Sequence, residues 1–236
     1  MSNLINNKLL WEDYEESILI DKKNVNIFKI SLDIYQIIKE HFMLVLTDDE
    51  LNKASKFKQE SDTKRYVIGK FCTKMILAKM MNKKPADIHF EFSEYKKPYI
   101  NDINFNISHS GDYVVIAFST YSVGIDIEAI NPVLDYQELI HQCFNGEEIK
   151  KIIDLDSFYL FWTRKESLLK ATGEGLINDL PTINCTQEKT ERFGIFYELK
   201  SFKLNDGYFL SIASSENQDI YKYWDLKTLT NIINFP

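Results

Sequence analysis

Apolar and polar residues alternate most cleanly over Val123-Gly124-Ile125-Asp126-Ile127-Glu128, which predicts a strand with β-branched residues on one face and two carboxylates on the other. Upstream, Phe105 and Ile107 alternate with asparagines in a strand that ends at the small-residue turn Ser108-His109-Ser110-Gly111. Tyr113 to Ser119 is almost continuously apolar, the pattern of a buried strand. With Tyr121-Ser122 as a turn, the short connections predict a three-stranded antiparallel meander across 103–128.

Helical periodicity runs from Ser61 to about Met81, with Val67, Phe71, Met75 and Ala78 on the apolar stripe. It returns from about Asp156 to Thr172 with Phe158, Phe161, Leu168 and Leu169, and Gly173 and Gly175 supply a left-handed stop. Thr47-Asp48-Asp49-Glu50 matches a capping box opening a short helix that Phe57 anchors to the core. Val25–Ile30 predicts a strand, and Ile34 to Phe42 is apolar at helical spacing. Shorter helical patterns cover 135–144 and 146–153. The remainder predicts strands over 194–203, 208–213 and 221–226, with Asn205-Asp206-Gly207 as a hairpin turn. A helix followed by a meander thus occurs twice. That order predicts an α+β fold of two similar, pseudo-twofold-related lobes, 1–121 and 122–236, each a helix packed on an antiparallel sheet.

Composition narrows the class. With 236 residues, 44% hydrophobic and 27% charged, the chain is long enough for a full core and reads as globular. No apolar run approaches a membrane span, and the start, with Asn3, Asn6 and Asn7, lacks the order of a signal peptide. Cys72, Cys143 and Cys185 are widely spaced and predict reduced core residues of a cytoplasmic protein rather than a disulfide or zinc framework. A net charge of −7 weighs against nucleic-acid and anionic-membrane binding, while leaving room for an anionic small molecule in a local basic pocket.

The candidate chemistry lies in the acidic strand and the second long helix. Asp126 and Glu128 side by side repel each other unless a cation sits between them. Glu166 and Lys170, four apart, share one face of the helix. Three carboxylates and a lysine so spaced suggest a divalent metal, such as magnesium, that holds a phosphate. Each piece alone has a plainer reading: a solvated acidic strand face, a surface helix pair, a histidine (His109) bonded at a strand end, a packing Trp162. Lys64 and Arg65, in the first turns of their helix, oppose its dipole, which fits either a bound anion or a solvated basic face. No G-x-S-x-G occurs, and adjacency of Ser108 and His109 builds no triad.

Read together, Lys97-Pro98, Phe105-Asn106-Ile107-Ser108-His109-Ser110-Gly111, Gly124-Ile125-Asp126-Ile127-Glu128, Trp162-Thr163-Arg164-Lys165-Glu166-Ser167 and Lys170-Ala171-Thr172-Gly173-Glu174-Gly175-Leu176 form an ordered series. That series, over roughly 47–176, resembles the Sfp-type 4′-phosphopantetheinyl transferases. The resemblance implies an enzyme that moves phosphopantetheine from coenzyme A to a serine of an apo acyl or peptidyl carrier protein and releases adenosine 3′,5′-bisphosphate. It implies a monomer with magnesium and the pyrophosphate in the cleft between two lobes. By position, it makes Asp126, Glu128 and Glu166 the metal-site carboxylates and sets Lys170 and His109 on the pyrophosphate. Arg65 and Lys53 fall on the 3′-phosphate, and Lys97, Pro98 and Ser108 line the nucleotide site. Glu166, or a water held by Glu166 or Glu148, is the candidate base, with Glu147 a neighbour competing for the position of Glu148. Lys96 stands where the family has glycine, and Lys70 follows Gly69 at a variable position.

Two other classes stay open at this level. D-x-E followed by E-x-x-x-K echoes metal-dependent nucleases, against which the acidic charge counts. A coenzyme A or carrier-binding module without catalysis is the non-enzyme alternative. Which carrier is served, from fatty-acid, polyketide or peptide synthesis, is not written in the chain.

Overall fold

The computed structural model describes residues 5, 9–15, 20, 21, 23–95, 97–100, 102–175, 179–204, 206–215 and 220–227. Lys96, Leu176, Asn205 and the asparagines at 3, 6 and 7 therefore lie outside the described residues.

Strands β1 (Glu12–Asp13) and β2 (Val25–Ser31) precede helices α1 (Tyr35–Ile38), α2 (Asp48–Ala54) and α3 (Glu60–Met81). Strands β3 (Glu91–Phe92), β4 (Pro98–Tyr99), β5 (Asn104–Ser110), β6 (Tyr113–Ser119) and β7 (Val123–Ala129) follow. Helices α4 (Gln137–Cys143), α5 (Gly146–Ile149) and α6 (Leu155–Thr172) lead to β8 (Lys189–Arg192), β9 (Ile195–Leu204), β10 (Tyr208–Ser215) and β11 (Tyr221–Asp225). The α2 capping box forms as expected between Thr47 and Glu50. Helix α6 starts at a cap from Asp154 to the Ser157 amide and stops at Gly173, left-handed at φ +80°.

The α+β class holds, with two helix-on-sheet lobes stacked as four layers. The first sheet runs β1-β11-β2-β6-β5 and the second β7-β10-β9-β8. Phe28, Ile30, Val114, Ile116 and Phe118 point from the first sheet into a core with Val67, Phe71 and Met75 of α3. Their neighbours Val25, Ile27, Val115 and Ala117 face the other way, onto Val123, Ile125, Ile127, Leu210 and Ile212 of the second sheet. Phe209 and Ala213 then turn outward to Phe158, Phe161, Leu168 and Leu169 of α6. Strands buried on both faces explain why Tyr113–Ser119 reads as a continuous apolar run.

Several expectations change. The meander stops after two strands: both edges of β6 are taken, by β2 and β5, so β7 leaves to pair with β10. The first sheet is mixed rather than antiparallel, because β11 inserts parallel between β1 and β2. The sheets thus do not divide the chain at one point, since β11 follows every strand of the second sheet in the chain yet joins the first. Strand β8 adds an edge to the second sheet beyond the predicted strands, and Phe57 stays exposed against Tyr66 instead of entering the core. Cys72, Cys143 and Cys185 are buried and free, as read from their spacing. Among the described residues, no helix is long and apolar enough to cross a membrane.

Candidate active site

The site forms where α6 lies on β7. Alternation along β7 sends Val123, Ile125 and Ile127 between the sheets and turns Gly124, Asp126 and Glu128 towards α6. Helical spacing brings Trp162, Glu166 and Lys170 down the facing side of α6. Gly124 makes the contact possible: a Cβ there would stand 2.1 Å from Ser167 O and 2.3 Å from Ala171 N, both helix backbone. The other edge of β7 meets β5 through side chains. Asn106 Oδ1, Ser108 Oγ and Ser110 Oγ accept from the amides of Ile125, Ile127 and Ala129 at 2.9, 3.3 and 3.0 Å. Two strands of different sheets are thereby held in register across the lobes.

Three groups share one polar junction. Lys170 Nζ donates to Asp126 Oδ1 at 2.5 Å and to Ser108 Oγ at 3.0 Å, and Ser108 Oγ donates to Asp126 Oδ1 at 3.0 Å. Ser110 Oγ donates to Glu128 Oε2 at 2.9 Å, and the Trp162 indole also reaches Glu128. All three carboxylates hold protons more tightly than usual. Burial raises Asp126 against the pull of Lys170, and burial with the Asp126 charge raises Glu128. Burial followed by the charges of Asp126 and Glu128 pushes Glu166 up to about 7.

Such a site has room for a cation. Asp126 Oδ2 and Glu166 Oε1 are buried and have no hydrogen-bond partner among the described residues. Buried acceptors without donors are costly, and a hard divalent ion with oxygen ligands satisfies them. Among the described residues no three His, Cys, Asp or Glu side chains converge closely enough to hold an ion by themselves.

A cleft of about 320 Å³ opens beside this junction, lined by Lys97, Pro98, Asn106, Glu166 and Lys170 among others. Lys97, Pro98, Glu166 and Lys170 are thus brought together, with Ser108 bonded to Lys170. Lys97 Nζ donates to Ala171 O at 2.8 Å and Val123 O at 3.3 Å, and burial brings its pKa down to about 8. His109 is exposed on one side, while desolvation of its ring and then the charges of Arg65 and Lys170 hold its pKa below the ordinary value. Arg65 Nη1 donates to Gly111 O at 2.6 Å, and Nη2 to Asp62 at 2.8 Å.

Two expected residues stand apart. Lys53 lies over the Tyr66 ring in a second pocket with Lys70, Lys74 and Glu50. Glu148 is fully buried: Oε2 pairs with Lys165 at 2.8 Å and accepts from Asn145 N at 3.1 Å, and Oε1 accepts from Cys185 N at 2.9 Å. Its neighbour Glu147 is exposed and pairs with Lys150. Asn106 and Ser110 join Ser108 in the seam, and the signal for it is their two-residue alternation along β5.

Comparison with known proteins falls on the same stretches. Residues 122–218 match the model of the 4′-phosphopantetheinyl transferase superfamily, and residues 38–121 that of the 4′-phosphopantetheinyl transferase N-terminal region. The 4′-phosphopantetheinyl transferase gsp of Aneurinibacillus migulanus is 34% identical over 65% of this chain and 69% of its own. The chain belongs to the 4′-phosphopantetheinyl transferase superfamily. The transferase Sfp of Bacillus subtilis (strain 168) is 27% identical over 75% of this chain and 85% of its own. HetI of Nostoc sp. (strain PCC 7120 / SAG 25.82 / UTEX 2576), also named a 4′-phosphopantetheinyl transferase, is 27% identical over 70% and 76%. Within this transferase the superfamily match spans both faces of the junction, since β7 and α6 fall inside 122–218.

Proposed function

We propose that this transferase moves 4′-phosphopantetheine from coenzyme A to a serine of an apo acyl or peptidyl carrier protein. The serine oxygen bonds to the phosphorus that carries pantetheine, the bridging P–O bond of the pyrophosphate breaks, and adenosine 3′,5′-bisphosphate leaves. The observation that carries the reading is the junction itself: Asp126, Glu128 and Glu166 gathered with Lys170 beside a cleft, with two buried carboxylate oxygens lacking donors.

In this reading residues 1–121 and 122–236 supply the two sides of the cleft, and coenzyme A lies with its nucleotide against Lys97 and Pro98. Asp126, Glu128 and Glu166 would hold magnesium. The bound ion supplies neutralisation of charge on the pyrophosphate oxygens. Lys170 adds positive charge and His109 a hydrogen-bond donor where the leaving bisphosphate becomes more anionic, and Arg65 binds the 3′-phosphate, with Lys53 a more remote contributor. Glu166, with Oε1 free of donors, receives the serine proton directly or through water. Glu148 is given an anchoring role instead, since its oxygens already serve Lys165 and two backbone amides. The enzyme is proposed to act as a cytoplasmic monomer.

Intact-mass analysis tests the reading. Apo carriers from fatty-acid and peptide synthesis are incubated with the protein, coenzyme A and magnesium. The expected result is a gain of one phosphopantetheine, lost on chelating the metal. No gain on either carrier with coenzyme A bound would favour a binding module; neither gain nor binding would overturn the proposal.

A further inference from the structure

Helix α6 ends in a segment that is fastened from two sides. Gly173 and Gly175, left-handed at φ +80° and +72°, both line the cleft. Between them Glu174 turns towards β8. Its carboxylate accepts from Arg192 Nε at 3.0 Å and Nη2 at 2.6 Å, and from Thr172 Oγ1 at 2.8 Å. Burial alone would raise this carboxyl, but the Arg192 and Thr172 hydrogen bonds outweigh it and hold it below its ordinary value. From the other lobe, Lys97 closes on the same segment. Its Nζ binds Ala171 O, and its Cδ lies where a Cβ on Gly173 would be only 3.3 Å away.

The arginine is itself held in place. Arg192 and Ile195 pair across the two-residue turn Phe193-Gly194, whose φ values are +55° and +75°. Two successive positive φ angles match the hairpin turn that suits strand twist, at the cost of an unfavourable conformation for Phe193. The Arg192 guanidinium lies 4.7 Å from the Phe193 ring centroid. Glu174 and Arg192 keep only 11% and 23% side-chain exposure. A two-point guanidinium–carboxylate contact in such shelter fixes direction as well as distance, which a lone surface pair does not.

We propose that Arg192 and Glu174 are positioning residues for coenzyme A. The pair fixes the 172–175 segment as one wall of the cleft, opposite Lys97-Pro98, so that the wall is formed before the nucleotide arrives. This inference rests on the placement of coenzyme A proposed above. Neither side chain touches the reacting atoms. Loss of the pair therefore acts on binding, while the Asp126–Glu166–Lys170 junction keeps its geometry.

The test is calorimetric titration of coenzyme A, with steady-state transfer, on the full chain and on Glu174→Gln, Arg192→Gln and the charge swap Glu174→Arg/Arg192→Glu. The single variants should raise the dissociation constant and KM for coenzyme A by about tenfold with kcat within about twofold, and the swap should recover much of the loss. Unchanged binding in both single variants overturns the proposal, as does a parallel fall of kcat, binding and melting temperature, which marks a purely structural pair. Titration reads binding without turnover, so an inactive wild type that still binds coenzyme A counts against the transferase reading and leaves the clamp measurable.

Discussion

Lys170 Nζ lies 2.5 Å from Asp126 Oδ1, while Oδ2 of the same carboxylate is buried with no donor among the described residues. One ammonium group thus faces one oxygen of a site that also contains Glu128 and Glu166. Magnesium should stabilise the wild-type protein, by about 2.7 kcal/mol at a hundredfold excess over its dissociation constant. Asp126→Asn should remove most of that gain. Thermal melts with and without the ion decide this, and equal shifts in both proteins would exclude Asp126 as a ligand.

The raised carboxyl of Glu166 gives a pH dependence of defined sign. Below its ordinary value of 4.5 it is protonated folded or unfolded and contributes nothing. From there to about 7 the folded protein keeps a proton that the unfolded chain releases, so metal-free stability falls as pH rises. Glu166→Gln removes this slope. Relative to wild type it should gain roughly 2–3 kcal/mol between pH 4.5 and 8 without metal, read from urea unfolding at each pH. A constant difference across that range would contradict the assignment.

Glu148 and Lys165 form a pair at 2.8 Å with side-chain exposures of 0% and 1%. Removing one partner strands the other charge in the core. Glu148→Ala should cost about 3–5 kcal/mol in chemical unfolding. The double variant Glu148→Gln/Lys165→Met should recover a good part of it. A Glu148→Ala protein of wild-type stability that had lost only turnover would return this residue to the chemistry.

Gly124→Ala places a methyl group 2.1 Å from a carbonyl oxygen and 2.3 Å from an amide nitrogen of α6, neither of which can rotate away. The helix must lift from β7. Stability should fall by about 3 kcal/mol, with a larger fall in transfer rate, because Glu166 and Lys170 move off Asp126 together. Differential scanning calorimetry and carrier loading measure the two effects separately.

The junction was legible because short periodicities carry it. Two-residue alternation puts Asp126 and Glu128 on one face of a strand, and four-residue spacing puts Glu166 and Lys170 on one face of a helix. Nothing equally local tells that β6 is flanked by β2 and β5, and so cannot take β7 as a third strand. The burial of Glu148 was hidden for a similar reason: α5 has four residues, too few for a periodic pattern, and Lys165 lies on another helix. Lys53 and Arg65 both fall on the 3′-phosphate by the resemblance, Lys53 in the last turn of one helix and Arg65 in the first turns of the next. Only the packed structure turns one towards Tyr66 and the other towards the turn at Gly111.

The insertion of β11 between β1 and β2 has a consequence for how the molecule is made. A ribosome releases β2 and β6 early, yet the edge of β2 that β11 covers stays open until residues 221–225 emerge. The first lobe is therefore completed by residues synthesised after the whole second sheet, and a nascent chain paused before them carries an unpaired strand. Chaperone dependence should concentrate in that interval, and a stop codon ahead of Tyr221 should damage the lobe that was translated first.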